Sequence, residues 1–273
     1  MQQRKIPSTG EMLPVVGLGT WQTFDVGTSP ADRAPRAAVL KALFDAGGSV
    51  IDSSPMYGRS EGVVGDLLAE AGTRKQAFLA TKVWTTGREA GIAQMERSLK
   101  LLRTDKIDLM QIHNLLDWQT HLPTLKDWKK QGRVRYIGVT HYTESAHSAL
   151  EAVLQLGGFD FVQVDYSIED PGADRRLLPF ARDNGVAVLI NLPFGGGGLL
   201  RRLAKRPLPG WAAEIDCTSW SQVLLKYVLG HPAVTCVIPG TSKPEHMRDN
   251  ALAGSGAFPD EAMRQRIVTD VGA

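Results

Sequence analysis

Four residues of different chemistry are placed in a telling way: Asp52, Tyr57, Lys82 and His113. Asp52 closes the apolar run "SVID", and Tyr57 sits five residues on, in the loop "SSPMYG". Lys82 lies near the end of "AFLATKV", and His113 ends "IDLMQIH". Singly, each has a structural reading: a capping acid, an aromatic in a turn, a lysine reaching solvent, a core histidine. Together they make a proton-delivery set. A free phenol titrates near about 10, too high for easy proton exchange at neutral pH. A nearby ammonium favours the phenolate and lowers that value, so Lys82 is expected to lower Tyr57. Asp52 would keep Lys82 charged and oriented. His113 would donate a hydrogen bond to a carbonyl oxygen and position it. The result is a tuned proton donor beside a polarised carbonyl. The missing reactant is a hydride, which a nicotinamide would supply. No serine elbow and no H-E-x-x-H zinc motif is present, and no metal is expected.

The elements that must hold these groups alternate along the chain. Eight short β-type runs are visible: "VVGLG", "SVID", "AFLATKV", "IDLMQIH", "VRYIGVT", "FVQVDY", "VAVLIN" and "TCVIP". Several are almost continuously apolar, as suits parallel strands covered on both faces. Amphipathic stretches separate them, near 31–46, 61–70, 122–130, 143–156, 174–184 and 220–229, with Ile92, Met95, Leu99 and Leu102 forming a stripe at helical spacing. "DNG" at Asp183 and "QG" at Gln131 are stop signals. This order predicts a single-domain (β/α)8 TIM barrel over residues 1–273, with a doubly wound sheet as the alternative. Residues 1–12 predict a short N-terminal β-hairpin turning at Thr-Gly. "GGGGLLRRLAKRPLPGWAAEIDCTSW" is a long connection after the seventh strand, of the kind that tends to be functional. In such a barrel the active site lies where the strands end. The four groups then share one face with Asn114, Thr140, His141, Gln163, Asn191, Gly240, Thr241 and Ser242.

The totals narrow the setting. The chain has 273 residues and is 43% hydrophobic, ample for one large core. Net charge is +2, from 31 Lys+Arg and 29 Asp+Glu, with no dense basic block, so nucleic acid is not an expected partner. No apolar run approaches the roughly 18 residues of a membrane span. The start "MQQRKIPSTGEMLP" lacks the apolar middle of a signal peptide. Cys217 and Cys236 show no paired spacing and fit a reducing compartment. A cytoplasmic location is the expectation.

The motifs "GLGTW", "IDSSPMYGRSE", "ATKVW", "QIHN", "IGVT", "VQVDYS" and "VIPGTSKPEHMRDN" follow one another as in aldo-keto reductases, from about Leu13 to Asn250. The chain resembles that family. The resemblance implies an (α/β)8 barrel that reduces aldehydes and ketones with NADPH, in preference to NADH, and acts as a monomer. It maps a catalytic tetrad onto Asp52, Tyr57, Lys82 and His113, with Tyr57 as general acid. It places the nicotinamide carboxamide against Thr140, His141 and Gln163. His141 departs from the family's asparagine, and Asn191 stands where relatives often stack an aromatic, with Phe194 nearby. Gly19, Thr20 and Pro193 are implied beside the cofactor. Gly195 and Gly196 open a glycine run read as a pyrophosphate cradle, whose backbone allows close approach. Pro244 and Glu245 suit a first helical turn, whose N-terminus favours phosphate. The resemblance sets the adenosine 2′-phosphate near Gly240, Thr241, Ser242 and His246, and adenine near Asn250. Many relatives carry lysine and arginine at the Gly240 and His246 positions, which leaves more to Thr241, Ser242, Lys243 and Arg248. The substrate wall comprises Trp21, Met56, Trp84, Asn114 and Trp118, mostly aromatic or apolar, as small-molecule sites are. A terminal helix over 259–269 leaves little room for a long C-terminal specificity loop, so an open pocket for varied carbonyl compounds is expected. Two other readings share this fold: a nucleotide-binding regulatory barrel, and a non-redox isomerase or lyase using Lys82 or Tyr57.

Overall fold

A computed structural model describes residues 1–272. A hairpin of β1 (Gln3–Lys5) and β2 (Met12–Pro14) comes first, paired antiparallel with Arg4 opposite Leu13. Its turn carries Gly10 at φ 78°, as a Thr-Gly turn requires. Eight parallel strands follow: β3 (Leu18–Gly19), β4 (Val50–Asp52), β5 (Phe78–Val83), β6 (Ile107–His113), β7 (Val134–Thr140), β8 (Phe161–Asp165), β9 (Ala187–Asn191) and β10 (Val234–Val237). They neighbour one another in chain order, and parallel bridges Val16–Val237 and Gly19–Gly240 join the first to the last. The sheet therefore closes into the expected barrel. The glycines of "VVGLG" permit that closure. A Cβ on Gly17 would stand 2.7 Å from Val50 Cβ, and one on Gly19 would stand 2.7 Å from the Ile238 carbonyl oxygen.

Ten helices surround the barrel among the described residues: α1 (Pro30–Asp45), α2 (Ser60–Glu70), α3 (Arg88–Leu101), α4 (Trp118–Lys130), α5 (His147–Gln155), α6 (Leu177–Asp183), α7 (Gly198–Leu203), α8 (Trp220–Leu229), α9 (Pro244–Leu252) and α10 (Glu261–Val271). Their starts are set by local chemistry. Ser29 and Ser219 accept hydrogen bonds from the amides of Asp32 and Gln222, capping α1 and α8. The helices expected over 143–156 and 174–184 are shorter, because single 3₁₀ turns (Glu144–Ala146 and Gly172–Arg175) precede α5 and α6. The long connection after β9 folds into α7 and a 3₁₀ turn at Gly210–Ile215, which buries Trp211. Among the described residues no helix is long and apolar enough to cross a membrane.

Side chains alternate across each strand, and this sorts the core into two clusters. Ile51, Leu79, Met110, Ile137, Val162 and Val188 face the helices. Val50, Phe78, Leu109, Tyr136, Phe161 and Leu189 fill the barrel, where Ile6 and Leu13 of the hairpin meet them. The next inward positions along β4, β6 and β8, and the one beyond Ala80 along β5, are polar: Asp52, Gln111, Gln163 and Lys82, all buried. The lumen thus has an apolar lower layer and a polar upper one.

Candidate active site

Strand ends position the polar layer. Asp52 ends β4, Lys82 is the penultimate residue of β5, and His113 ends β6. Lys82 is fully buried, and its Nζ donates to Asp52 Oδ2 at 2.6 Å and to the Ser53 carbonyl oxygen at 2.7 Å. The second Asp52 oxygen accepts from Gln163 Nε2 at 2.8 Å and Gln111 Nε2 at 3.1 Å. Thr20 Oγ1 donates to the Asp52 carbonyl at 2.9 Å, and Thr140 Oγ1 to Gln163 Oε1 at 3.2 Å. Both carboxylate oxygens therefore have donors, which buried charge requires. Burial works against the ammonium of Lys82, but the Asp52 carboxylate, by charge and hydrogen bond and with Tyr57 beside it, outweighs burial and holds the pKa above the usual lysine value.

Tyr57 stands over this pair, with Lys82 Nζ 4.8 Å from its ring centroid. Its ring meets His113 edge-on at 6.0 Å. The expected lowering of the phenol is corrected here: burial raises its pKa by more than Lys82 lowers it, and Asp52 raises it further. The phenol is therefore a firmly protonated acid at neutral pH. His113 is held down to about 3 by burial, then by the charge of Lys82 and by His141, so its ring is neutral. Ser54 Oγ lies 3.1 Å from His113 Nδ1 and accepts from the Met56 amide at 3.3 Å.

The remaining expected positions separate into groups. Trp21, Met56 and Trp84 are exposed at the rim, and Trp84 lies 6.3 Å from the His113 ring. Trp118 and Phe194 are half-buried and pack in part against the helix-side core. Asn114 follows His113 at φ 54°, and its buried Oδ1 has no partner among the described residues. Asn191 Nδ2 donates to the His141 carbonyl at 3.1 Å, while its Oδ1 is likewise buried and unpartnered. The His141 ring stacks on Tyr142 at 5.4 Å. Thr20 is buried with its hydroxyl committed to Asp52 and Ser53. At the other side of the mouth, Gly240 lies against Gly19, Pro193 and Asn250 are buried, and Thr241 Oγ1 accepts from the Lys243 amide at 3.1 Å. Ser242 is half-buried and His246 exposed, at the start of α9. Gly195 and Gly196 line a cavity of about 340 Å³ with Asp165, Ser167, Glu169 and Asp170. Sequence reading missed Ser54, Gln111, Tyr142 and those acids. Gln111 had a signal, two residues before His113 on the same strand; Ser54 had none beyond a turn-like "SSP". Among the described residues no three His, Cys, Asp or Glu side chains are arranged to hold a metal ion.

A barrel closed by glycines, with a buried lysine–carboxylate pair under a loop tyrosine, defines a class that the wider comparisons also give. The profile of the aldo/keto reductase family matches residues 15–266, and the chain belongs to that family. It is similar to the methylglyoxal reductase YeaE of Escherichia coli (strain K12), 31% identical over 92% of this chain and 89% of that protein. It is also similar to an NADH-specific methylglyoxal reductase of the same organism, 27% identical over 92% and 93% of the two chains. Among solved structures, an aldo/keto reductase from Klebsiella pneumoniae in complex with NADP and acetate superposes with a TM-score of 0.82, at 26% identity over 98% and 96% of the chains.

Proposed function

We propose that this protein reduces aldehydes and ketones to alcohols with NADPH, with NADH the less favoured donor. The carrying observation is the buried Lys82 ammonium, 2.6 Å from Asp52 and 4.8 Å from the ring of Tyr57. Relatives named as methylglyoxal reductases and a neighbour solved with NADP support the reading. The mouth fits a nicotinamide dinucleotide on this chain's own chemistry. The orphaned Oδ1 of Asn191 suits an amide donor, Gly196 is open with nothing within 4 Å of a Cβ position, and α9 begins without a side-chain cap. Gly195, Gly196, Thr241 and Ser242 would hold the phosphates, and Thr140, Gln163 and Asn191 the nicotinamide end. When bound, the cofactor supplies the hydride.

The protein's part is proton delivery. The Met56 amide already donates to Ser54 Oγ, which leaves the Ser54 hydroxyl proton for His113 Nδ1. The neutral ring then keeps its proton on Nε2, ready to donate to the substrate oxygen. As the carbonyl becomes an alkoxide, Tyr57 gives it the phenolic proton. Lys82 stabilises the phenolate as it forms, and Asp52 fixes Lys82. Substrate lies against Trp21, Met56 and Trp84, an open apolar rim suited to small carbonyl compounds. The buried, unpaired Cys217 and Cys236 suit a reducing compartment, and we place the protein in the cytoplasm as a monomer. The test is titration with NADPH and NADH, then cofactor oxidation with methylglyoxal and a panel of aldehydes and ketones. Tyr57→Phe should bind cofactor normally and lose roughly 10²–10⁴ in kcat. Binding of neither nucleotide would sink the reading, and full activity in Tyr57→Phe would remove its acid.

A further inference from the structure

The cavity of about 340 Å³ beside Gly195 and Gly196 is lined by acid, although the glycine run suggests a seat for a pyrophosphate. Asp165 ends β8 and is 2% exposed. Its Oδ1 is bonded to His147 Nε2 of α5 at 3.0 Å, while its Oδ2 is buried with no donor among the described residues. A tight turn brings a second carboxyl to it. The Ser167 amide donates to the Asp170 carbonyl at 3.1 Å, and the Asp170 amide to Ser167 Oγ at 3.1 Å. The Asp170 carboxyl lines the same cavity as that of Asp165, near enough for the two charges to act on each other. Two ionised carboxylates offer each other no donor, which leaves Asp165 Oδ2 orphaned. One proton between them supplies the missing hydrogen bond and removes the repulsion.

We propose that the dinucleotide enters this cavity together with one proton, which is held between Asp165 and Asp170. This rests on the cofactor reading above. A pyrophosphate over Gly195 and Gly196 adds negative charge beside the pair, so the bound state holds that proton more tightly than the free state. Affinity must then rise as pH falls. The other charges facing the pair do not replace this effect. Glu169 has its own partner in Arg202 of α7 at 3.6 Å, and Glu144 has Arg175 at 3.7 Å. His147 is bound to the far oxygen of Asp165, His141 feels Asp165 across the mouth, and the β9 side of the cavity contributes the uncharged Leu192, Gly195 and Gly196. In the free protein, burial and the neighbouring charge of Asp165 already push the Asp170 carboxyl above the usual aspartate range.

The experiment is equilibrium binding of NADPH and of NADH to the full chain across about pH 5.5 to 8.5, by fluorescence and by calorimetry in buffers of different ionisation heat. NADH lacks the 2′-phosphate, whose own titration would otherwise mimic the effect. Both nucleotides should weaken with rising pH by up to roughly tenfold per unit, with uptake of up to about one proton. Asp170→Asn keeps the shape and gives Asp165 a permanent donor. It should abolish the slope and the uptake and bind several-fold tighter near pH 8, whereas His147→Gln should keep the slope. A flat profile in the wild type, or a slope surviving in Asp170→Asn, overturns the proton pair while leaving the cofactor reading intact. Failure of both nucleotides to bind at any pH overturns the two together.

Discussion

The lower and upper layers of the barrel lumen are built by the same strands and the same alternation of side chains, yet they obey opposite rules. Below, Phe78, Tyr136, Phe161 and Leu189 close on Ile6 and Leu13 of the hairpin. Removing such side chains from water stabilises the fold by about 1.5–3 kcal/mol each. Above, Asp52, Lys82, Gln111, His113 and Gln163 occupy equally buried positions and need a hydrogen bond for nearly every polar atom. A buried ion pair contributes little net stability, and apolar residues of like volume often do as well or better. Backbone strain also lies at the upper end. Of seven non-glycine residues at positive φ among the described residues, Gln22, Asn114, Leu115, Asp117 and Leu192 lie on loops at the mouth. The lower layer makes the barrel, and the upper layer draws on that stability to hold chemistry.

The largest effect should come from breaking the upper layer at its centre. Lys82→Met leaves Asp52 buried with its ammonium gone. We expect near-complete loss of activity together with about 3–5 kcal/mol of stability, read by kcat/KM and by chemical denaturation. Its counterpart below is Phe161→Ala, with a similar loss of about 3–5 kcal/mol but kcat/KM within a few-fold of wild type. If Phe161→Ala damaged catalysis as severely as Lys82→Met, the two layers would not be separable.

A second effect distinguishes the layers by pH. His113 titrates near about 3 in the fold, against 6.5 ordinarily, because of burial first and then Lys82 and His141. The unfolded chain therefore binds a proton at this position between those values and the native chain does not. Stability falls as pH is lowered through the ordinary value, by up to about 1.4 kcal/mol per unit from this group, and the loss levels off near its folded value. Denaturation at about pH 7 and about pH 5 should show a smaller difference for His113→Gln than for wild type. Equal differences would mean that the ring is solvated and free to charge.

How legible each layer was in the sequence follows from what sets it. All eight barrel strands were visible, because each is a short apolar run with polar or glycine boundaries, and α8 spans Trp220–Leu229 as expected. The 3₁₀ turns before α5 and α6 were not, since one turn of helix has no periodicity to detect. Asp52, Lys82 and His113 were legible as polar residues closing apolar runs. The direction of the Tyr57 shift was not, because it depends on burial depth weighed against the distance to Lys82, and neither is a sequence property. The placing of Asp165 and Asp170 on one cavity needs the Ser167–Asp170 turn, which the residue types alone do not specify. The structural roles of Gly19 and Thr20 were not legible, since it takes the closed barrel to bring Gly19 against Ile238 and the Thr20 hydroxyl to the Asp52 carbonyl.

The smallest expected effect is the most specific test of the upper layer. The Ser54 carbonyl accepts from the Tyr57 amide at 2.9 Å, but its side chain bonds to neither Tyr57 nor Lys82; the hydroxyl sits between the Met56 amide and His113 Nδ1. If it selects the ring tautomer, Ser54→Ala removes one neutral hydrogen bond, worth about 0.5–1.5 kcal/mol. That corresponds to roughly a two- to tenfold fall in kcat/KM, with nucleotide affinity unchanged. Ser54→Thr keeps the hydroxyl and should recover most of the loss. A role confined to packing predicts the reverse order, because the added methyl of threonine crowds a buried position while alanine leaves the backbone turn in place. Kinetics of the two variants side by side therefore decide whether this serine belongs to the proposed proton-delivery set or only to the loop that carries Tyr57.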